Sequence, residues 1–322
     1  MADQAASANT PSWWVSPEWA AARLDGFVRR CLPHLSRRSI DQAIDEKSIL
    51  INGRVGRKGD RLSAGDWVSF CGHVDWLADQ PLPTADLELP VIYEDESILV
   101  LDKPGGVATH GFSARYHATL ANVIAARWPD LLKIGKSRWE PGLVHRLDAE
   151  TSGLILAAKT QAAFDRLRLQ FRRHEIDKTY WALVWGDGND EGVINFPLAR
   201  DSRDRRRMRV VRRSLKAKRE RFWPALTRYR KLGAARGLSL LEIHMATGVT
   251  HQIRVHLAAV GQPIVGDGLY GTEPKEIFGL RRHFLHAKAL LFRHPDDNRR
   301  FEIEDQLPHE LIEVLKRAGI SR

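Results

Sequence analysis

Apolar positions follow two regimes along the chain. Leu24, Phe27, Val28 and Cys31 recur at i, i+3, i+4 and i+7, one face of a helix. Pro33 ends it, and Ser36 is placed to cap a second helix with Ile40, Ala43 and Ile44 on its inner face. Ile49–Ile51, the pair Asn52-Gly53 and then Arg54-Val55 read as strand, tight turn and strand. Gly65-Asp66 introduces a further strand over 67–70. These residues predict a small α/β module over 21–72. Ahead of it, residues 1–20 carry Trp13, Trp14 and Trp19 around Pro11 and Pro17, and read as an irregular leader. Behind it, 73–89 is proline-containing and lacks periodicity, which predicts a linker. Beyond 90 the pattern changes. Ile98–Leu101, Leu154–Ala158, Tyr180–Trp185 and Leu238–Ile243 read as strands, and 118–128 and 161–172 as helices. Strands outnumber helices without regular alternation. The fold class expected for 90–322 is therefore α+β, with a mixed, mainly antiparallel sheet.

Length and composition agree with two domains. The chain has 322 residues, 43% apolar and 28% charged. Cys31 and Cys71, its two cysteines, cannot form a disulfide framework or a four-thiolate zinc site. Residues 1–10 have neither the basic nor the apolar region of a signal peptide. The longest apolar runs have about five residues, against the roughly 20 of a membrane helix. A soluble, cytoplasmic, monomeric protein with no membrane partner is expected.

Charge narrows the partner. The net charge is +10, which suggests a polyanion. It is concentrated: Arg203–Arg221 holds eleven basic and two acidic residues, or +9. In the small module Arg37 and Arg38 open the second helix, where backbone amides also favour phosphate, and Lys47 and Arg54 lie by the hairpin.

Three motifs fail on context. Gly266–Gly271 matches the dinucleotide fingerprint, but Pro274 interrupts the helix that should follow and no acid closes a second strand. Gly135-Lys136-Ser137 lacks the first glycine of a phosphate loop, because position 130 is Asp130. His251 and His256 are five apart with no Glu between them, and His145, His283 and His286 add no ligand spacing. No metal and no nucleotide cofactor are expected.

What remains is charge inside apolar runs. Asp148 and Arg146 adjoin Val144 and Leu147, where an unpaired charge in a sheet would be costly. Arg254 lies between Ile253 and Val255 in an equally strand-like context, so an Asp148–Arg254 pair is the economical solution.

The motifs carrying these residues are specific. His145-Arg146-Leu147-Asp148 with Thr151-Ser152-Gly153 resembles the catalytic motif of RluA-type RNA pseudouridine synthases. The segment from Thr250 to Gly271 is similar to that family's second signature, and "LDKPGG" and "KTYWALVWG" fall in the expected order. The likeness covers about 90–315. Val249 departs from it, since the family usually has Arg there, and 214–228 lacks the usual glycine at the strand entry. Residues 23–70 resemble the ribosomal S-four-type RNA-binding domain, departing at Glu46-Lys47-Ser48, where a glycine is usual.

The resemblance implies conversion of uridine to pseudouridine in RNA, without a cofactor. Breaking the N1–C1′ bond develops cationic character at C1′, which calls for a carboxylate. Asp148 takes that role, as nucleophile or as the base that starts elimination, and Arg254 keeps it ionised. Tyr180 is implied to stack on the uracil and assist proton transfer, and Leu285 to line the base pocket. Arg146 is implied to fill the gap left by the flipped uridine. Arg203, Arg205, Arg206, Arg207 and Arg209 fall in the loop that grips RNA, while His145 reads as scaffold near the substrate. Arg37, Arg38, Lys47, Asn52 and Arg54 are the expected contacts of the N-terminal RNA-binding domain. Large-subunit ribosomal RNA is the first expectation and transfer RNA the second. Two other classes remain. One is a catalytically silent ribosome-assembly factor. The other is a nucleosidase using Asp148 with Glu150, which would share one face of a strand.

Overall fold

The computed structural model describes residues 11–72, 74–84, 87–113, 115–212, 221–271 and 277–321. It divides into two compact units. The first comprises 1–86, 110–132 and 137–140. Its helices are α1 (Leu24–Cys31), α2 (Arg37–Asp45) and α3 (Leu120–Arg127). Its strands are β1 (Ser12–Trp14), β2 (Ile49–Ile51), β3 (Arg54–Val55) and β4 (Trp67–Phe70), in the order β1-β4-β2-β3.

Local chemistry explains these elements. The Ser36 side chain accepts from the Ser39 amide and caps α2. Leu24, Phe27, Val28, Ile40, Ala43 and Ile44 bury together against Ile49, Val68 and Phe70. Asn52 and Gly53 both have positive φ (50° and 78°), as a two-residue hairpin turn requires. Asn52 uses its side chain inside that turn: its amide donates to Asp66 and its carbonyl accepts from Trp67 N.

Three expectations change in this unit. The leader is ordered in part, because 12–14 pair antiparallel with 67–69 and Trp14 packs edge-on against Trp67. Residues 74–84 are more than a linker. They include a short helix over Val74–Leu77, and the Asn122 side chain donates to the Leu82 carbonyl. Segments 110–132 and 137–140 cluster with this unit, not with the larger domain their position in sequence suggested.

The second unit contains a nine-stranded, mainly antiparallel sheet. Its strands are β5 (Val91–Glu94), β6 (Ile98–Lys103), β7 (Ser152–Ala158), β8 (Asp177–Trp185) and β9 (Glu191–Ile194). After an excursion through β10 (Leu198–Arg200), β11 (Met208–Val210) and β12 (Phe222–Trp223), the chain returns in β13 (Thr227–Ala235) and β14 (Leu238–Met245). β15 (Leu285–Arg293) and β16 (Arg300–Glu304) complete the sheet. The order is β5-β6-β7-β15-β8-β14-β13-β9, with β16 also on β15, while β11-β10-β12 form a small separate sheet. Helix α4 (Gln161–Arg173) buries Ala163, Phe164 and Leu167 against β6, β7 and β15. Helices α5 (Gln252–Ala259) and α6 (His309–Ala318) pack in the cluster built on β8 and β14.

β7 and β15 make the one parallel pairing of the sheet, confined to His286 with Ser152 and Ala287 with Gly153. Gly153 sits there at φ +107°, and a Cβ would lie 2.4 Å from the Ala287 carbonyl oxygen. The glycine of the Thr-Ser-Gly motif is thus fixed by a backbone-to-backbone approach. Gly153→Ala should cost on the order of 3 kcal/mol and lower Tm by about 10 °C in scanning calorimetry. An unchanged Tm would contradict this packing.

Candidate active site

The segment 145–151 is a loop entering β7, not a strand interior as its apolar flanks suggested. Side chains and buried amides pin it along its length. Thr109 donates to the Leu147 carbonyl and accepts from the Leu147 amide. The Ala149 carbonyl accepts from Lys103 and from Gly106 N. Glu150 faces His283 at 3.1 Å, and the same ring bonds Thr151 through its other nitrogen. Arg282 donates to the Glu150 carbonyl and to Ser152 Oγ.

Lys103 is fully buried, and its Nζ donates to the carbonyls of Pro104, Val107 and Ala149 at 2.7–3.0 Å. Burial, then repulsion from Arg282, pushes its pKa down to about 7. Three acceptors require three N–H groups, so the ammonium is the form that fits the cage.

Asp148 comes off this loop with its side chain 20% exposed. Arg254 Nη1 donates to its Oδ2 at 3.1 Å, so the pairing expected from the sequence forms. Arg254 lies on a helix, however. Its run alternates like a strand because α5 is buried from Gln252 to Leu257, leaving no polar face to reveal a helical period. Ile253 and Leu257 enter the main core, and Val255 enters a second cluster with Leu198 and Met208.

The same guanidinium serves a second carboxylate. Nε and Nη2 donate to Asp267 Oδ2 and Oδ1 at 2.7 and 2.8 Å. Asp267 is fully buried and also accepts from the amides of Leu269 and Tyr270. Burial opposes the charge on Arg254, but Asp267 and then Asp148 outweigh it and raise its pKa. Burial raises the Asp267 carboxyl, yet its bonds from Arg254 leave it lowered overall. Asp267, Lys103 and Tyr270 escaped sequence reasoning. Asp267 carried the signal that exposed Asp148, a lone acid after the apolar Ile264-Val265, in a segment set aside as a failed dinucleotide motif.

A cavity of about 360 Å³ opens beside this pair, lined by His145, Arg146, Asp148, Lys178, Tyr180, Arg254 and Leu285 among others. Tyr180 and Leu285 are buried on β8 and β15. Burial, then the Asp148 charge, pushes the Tyr180 phenol up, so it is protonated at neutral pH. His145 stacks on Phe171 at 5.1 Å, and its Nε2 accepts from Leu156 N. Burial, then Lys178, lowers it to about 3, which leaves a neutral scaffold ring. Arg146 is exposed at the cavity. Glu150 pairs with His283 and is not among the residues lining the cavity beside Asp148.

The remaining expected residues lie apart from this cavity's lining. Arg203, Arg205, Arg206 and Arg207 are exposed ahead of β11, and Arg209 is half-buried on it. Arg206 pairs with Asp204. Arg213, Lys216, Lys218 and Arg219 of the basic run lie outside the described residues. Arg37, Arg38, Lys47 and Arg54 are exposed in the first unit. Val249 packs against the cluster of Leu198, Met208 and Val255. Among the described residues no group of His, Cys, Asp and Glu is placed to hold a metal, and no helix is long and apolar enough to cross a membrane.

Residues 97–259 match the RNA pseudouridylate synthase family model. The chain belongs to the RluA-type RNA pseudouridine synthases. It is 38% identical over 306 residues to an RNA pseudouridine synthase of Chloroflexus aurantiacus, covering 94% of this chain and 92% of the relative. It is 32% identical over 316 residues to ribosomal large subunit pseudouridine synthase D of Nitrosomonas europaea, covering 96% and 88%. The solved structure of human RNA pseudouridylate synthase domain containing 4 aligns with TM-score 0.56 and 26% identity over 71% of this chain and 92% of that one. As a synthase of this family the chain is an isomerase acting on RNA.

Lys178 gives this synthase's cavity a pH-dependent charge. Burial pushes its pKa down to about 8, so the ammonium is present below that pH and lost above it. The Michaelis constant for RNA should therefore rise between about pH 7 and 9 in the wild type, because a cation lining the cavity that would attract a polyanion is lost. Lys178→Arg should flatten that rise, since a guanidinium stays charged. The same rise in both proteins would exclude Lys178 as its source.

Proposed function

We propose that this synthase isomerises uridines of large-subunit ribosomal RNA, with Asp148 as the reacting carboxylate. The observation that carries the reading is the one open-sided carboxylate of the cavity, bonded to a guanidinium and lying with Tyr180 and Leu285 along the same lining. Its extension to ribosomal RNA is supported by near full-length similarity to proteins named ribosomal large subunit pseudouridine synthase D.

The reaction breaks N1–C1′, turns the uracil and joins C5 to C1′, and a proton leaves C5 while N1 gains one. Asp148 acts at the sugar, by attack on C1′ or by removing a proton to begin elimination. Arg254 holds its carboxylate in place through the bond from Nη1. Tyr180 offers the ring on which the detached uracil stacks and a hydroxyl near C5, and Leu285 closes the base pocket. Arg146, exposed beside Asp148, fills the space the flipped uridine vacates. The unit of 87–109, 133–136 and 141–322 forms the catalytic domain, and 21–72 act as an S-four-type RNA-binding domain that presents Arg37, Arg38, Lys47 and Arg54 to phosphate. Asn52 shapes the turn that carries Arg54.

Pseudouridine mapping of total RNA from cells with and without the gene tests this reading. Sites in large-subunit ribosomal RNA should disappear without the gene and stay absent when Asp148→Ala is supplied. Loss confined to transfer RNA would reassign the substrate, and no lost site would contradict the reading. The basic segment should position RNA through phosphates. Changing Arg205, Arg206, Arg207 and Arg209 to Gln should raise the Michaelis constant about tenfold at low salt with a much smaller change in turnover. Equal constants at low and high salt in the wild type would count against that role.

A further inference from the structure

Tyr270 stands where three parts of the catalytic unit meet. Its hydroxyl accepts from Met208 N at 2.7 Å, at the start of β11. The same oxygen lies 2.8 Å from His251 Nδ1. The His251 Nε2 is 3.8 Å from Asp148 Oδ2. The Tyr270 ring lies under the Arg254 guanidinium at 5.2 Å and under that of Arg207 at 5.3 Å.

Hydrogen counting gives one direction for this chain that uses every group in it. The Met208 amide can only donate, so the phenol oxygen accepts there and retains one proton to give. Among the described residues its other polar neighbour is His251 Nδ1, so the proton points to that nitrogen. Nδ1 is then an acceptor, and the neutral ring carries its hydrogen on Nε2, the nitrogen facing Asp148. Burial, then Arg254, holds the ring below its usual pKa despite the attraction of Asp148, consistent with a neutral imidazole.

His251 itself occupies an unusual backbone position. It precedes α5 at φ +56°, and its side chain makes no capping bond to that helix. A non-glycine residue in this region costs on the order of 1 kcal/mol, so the position is kept for where it puts the side chain.

We propose that Tyr270 is a positioning residue: it fixes His251 in the tautomer whose N–H faces Asp148, and ties that arrangement to the basic strand β11. The inference rests on Asp148 as the reacting carboxylate. It makes the strand bearing Arg209, which Arg207 immediately precedes, continuous, through two hydrogen bonds, with the electrostatic surroundings of the reacting group.

Tyr270→Phe removes both hydrogen bonds and keeps the ring beneath the guanidiniums. With total RNA from cells lacking the gene as substrate, turnover should fall about tenfold while the Michaelis constant stays within about twofold, the size expected for one net hydrogen bond. His251→Asn should also slow turnover, and adding Tyr270→Phe to it should cost nothing further, because both changes break one chain. Nitrogen-15 spectra, with His251 assigned by its loss in His251→Asn, should show a single Nε2–H tautomer in the wild type and a mixture in Tyr270→Phe. Wild-type turnover in Tyr270→Phe, or additive effects of the two changes, would overturn the inference. Asp148→Asn separates it from its foundation. An inactive Asp148→Asn beside a fully active Tyr270→Phe defeats this inference alone, whereas an active Asp148→Asn defeats the reading beneath it.

Discussion

One guanidinium shared by two carboxylates governs the site. Arg254 meets Asp267 through two parallel bonds inside the protein and Asp148 through a third at the cavity. The bidentate pair is the anchor. It desolvates the arginine in fixed geometry, and two backbone amides on Asp267 complete the partner. A buried Arg with only Asp148 would be free to swing with that side chain. Held by Asp267, it presents one of its three remaining N–H groups to Asp148 Oδ2 and leaves the other oxygen of that carboxylate unbonded by the guanidinium. Desolvation makes each of these bonds costly to break, since loss of one partner strands a buried charge.

The loop carrying Asp148 is held equally firmly, though mostly through its backbone. Lys103, Thr109 and Arg282 bond the carbonyls of Ala149, Leu147 and Glu150, so the loop is fixed by groups that never reach the substrate. Gly153 lets the strand after the loop touch β15, on which Leu285 sits, and β15 pairs with Tyr180 on its other side. Backbone register therefore sets the separation of carboxylate, base pocket and aromatic ring. The cationic groups proposed to meet phosphate need no such precision, and Arg203, Arg205 and Arg206 are exposed.

Much of this was legible in the sequence where one physical signal dominated. Strands β6, β7, β8 and β14 appeared as apolar runs, though β15 between β7 and β8 did not; α4 appeared as a helical period, and the Asn52-Gly53 turn as a residue pair with few conformational options. Asp148 and Arg254 were found because charge in apolar surroundings needs a partner. The signal failed where burial is complete: α5 hides on all sides and so loses its period. Pairing arithmetic also stopped one partner early, since a guanidinium with five donors can satisfy two acids, and Asp267 passed as part of a glycine-rich run. The leader strand 12–14 was invisible because it is short and pairs with a strand about fifty residues away. Long-range pairing of that kind leaves no local pattern.

Asp267 is therefore where the account is most exposed. Asp267→Asn keeps the shape and one acceptor but removes the charge that anchors Arg254. Single-turnover kinetics at saturating enzyme, alongside equilibrium RNA binding, would separate chemistry from affinity. The chemical step should slow about 100-fold, as expected when a reacting group loses its placement, with RNA affinity within about twofold of the wild type. A chemical step at the wild-type rate in Asp267→Asn would contradict it.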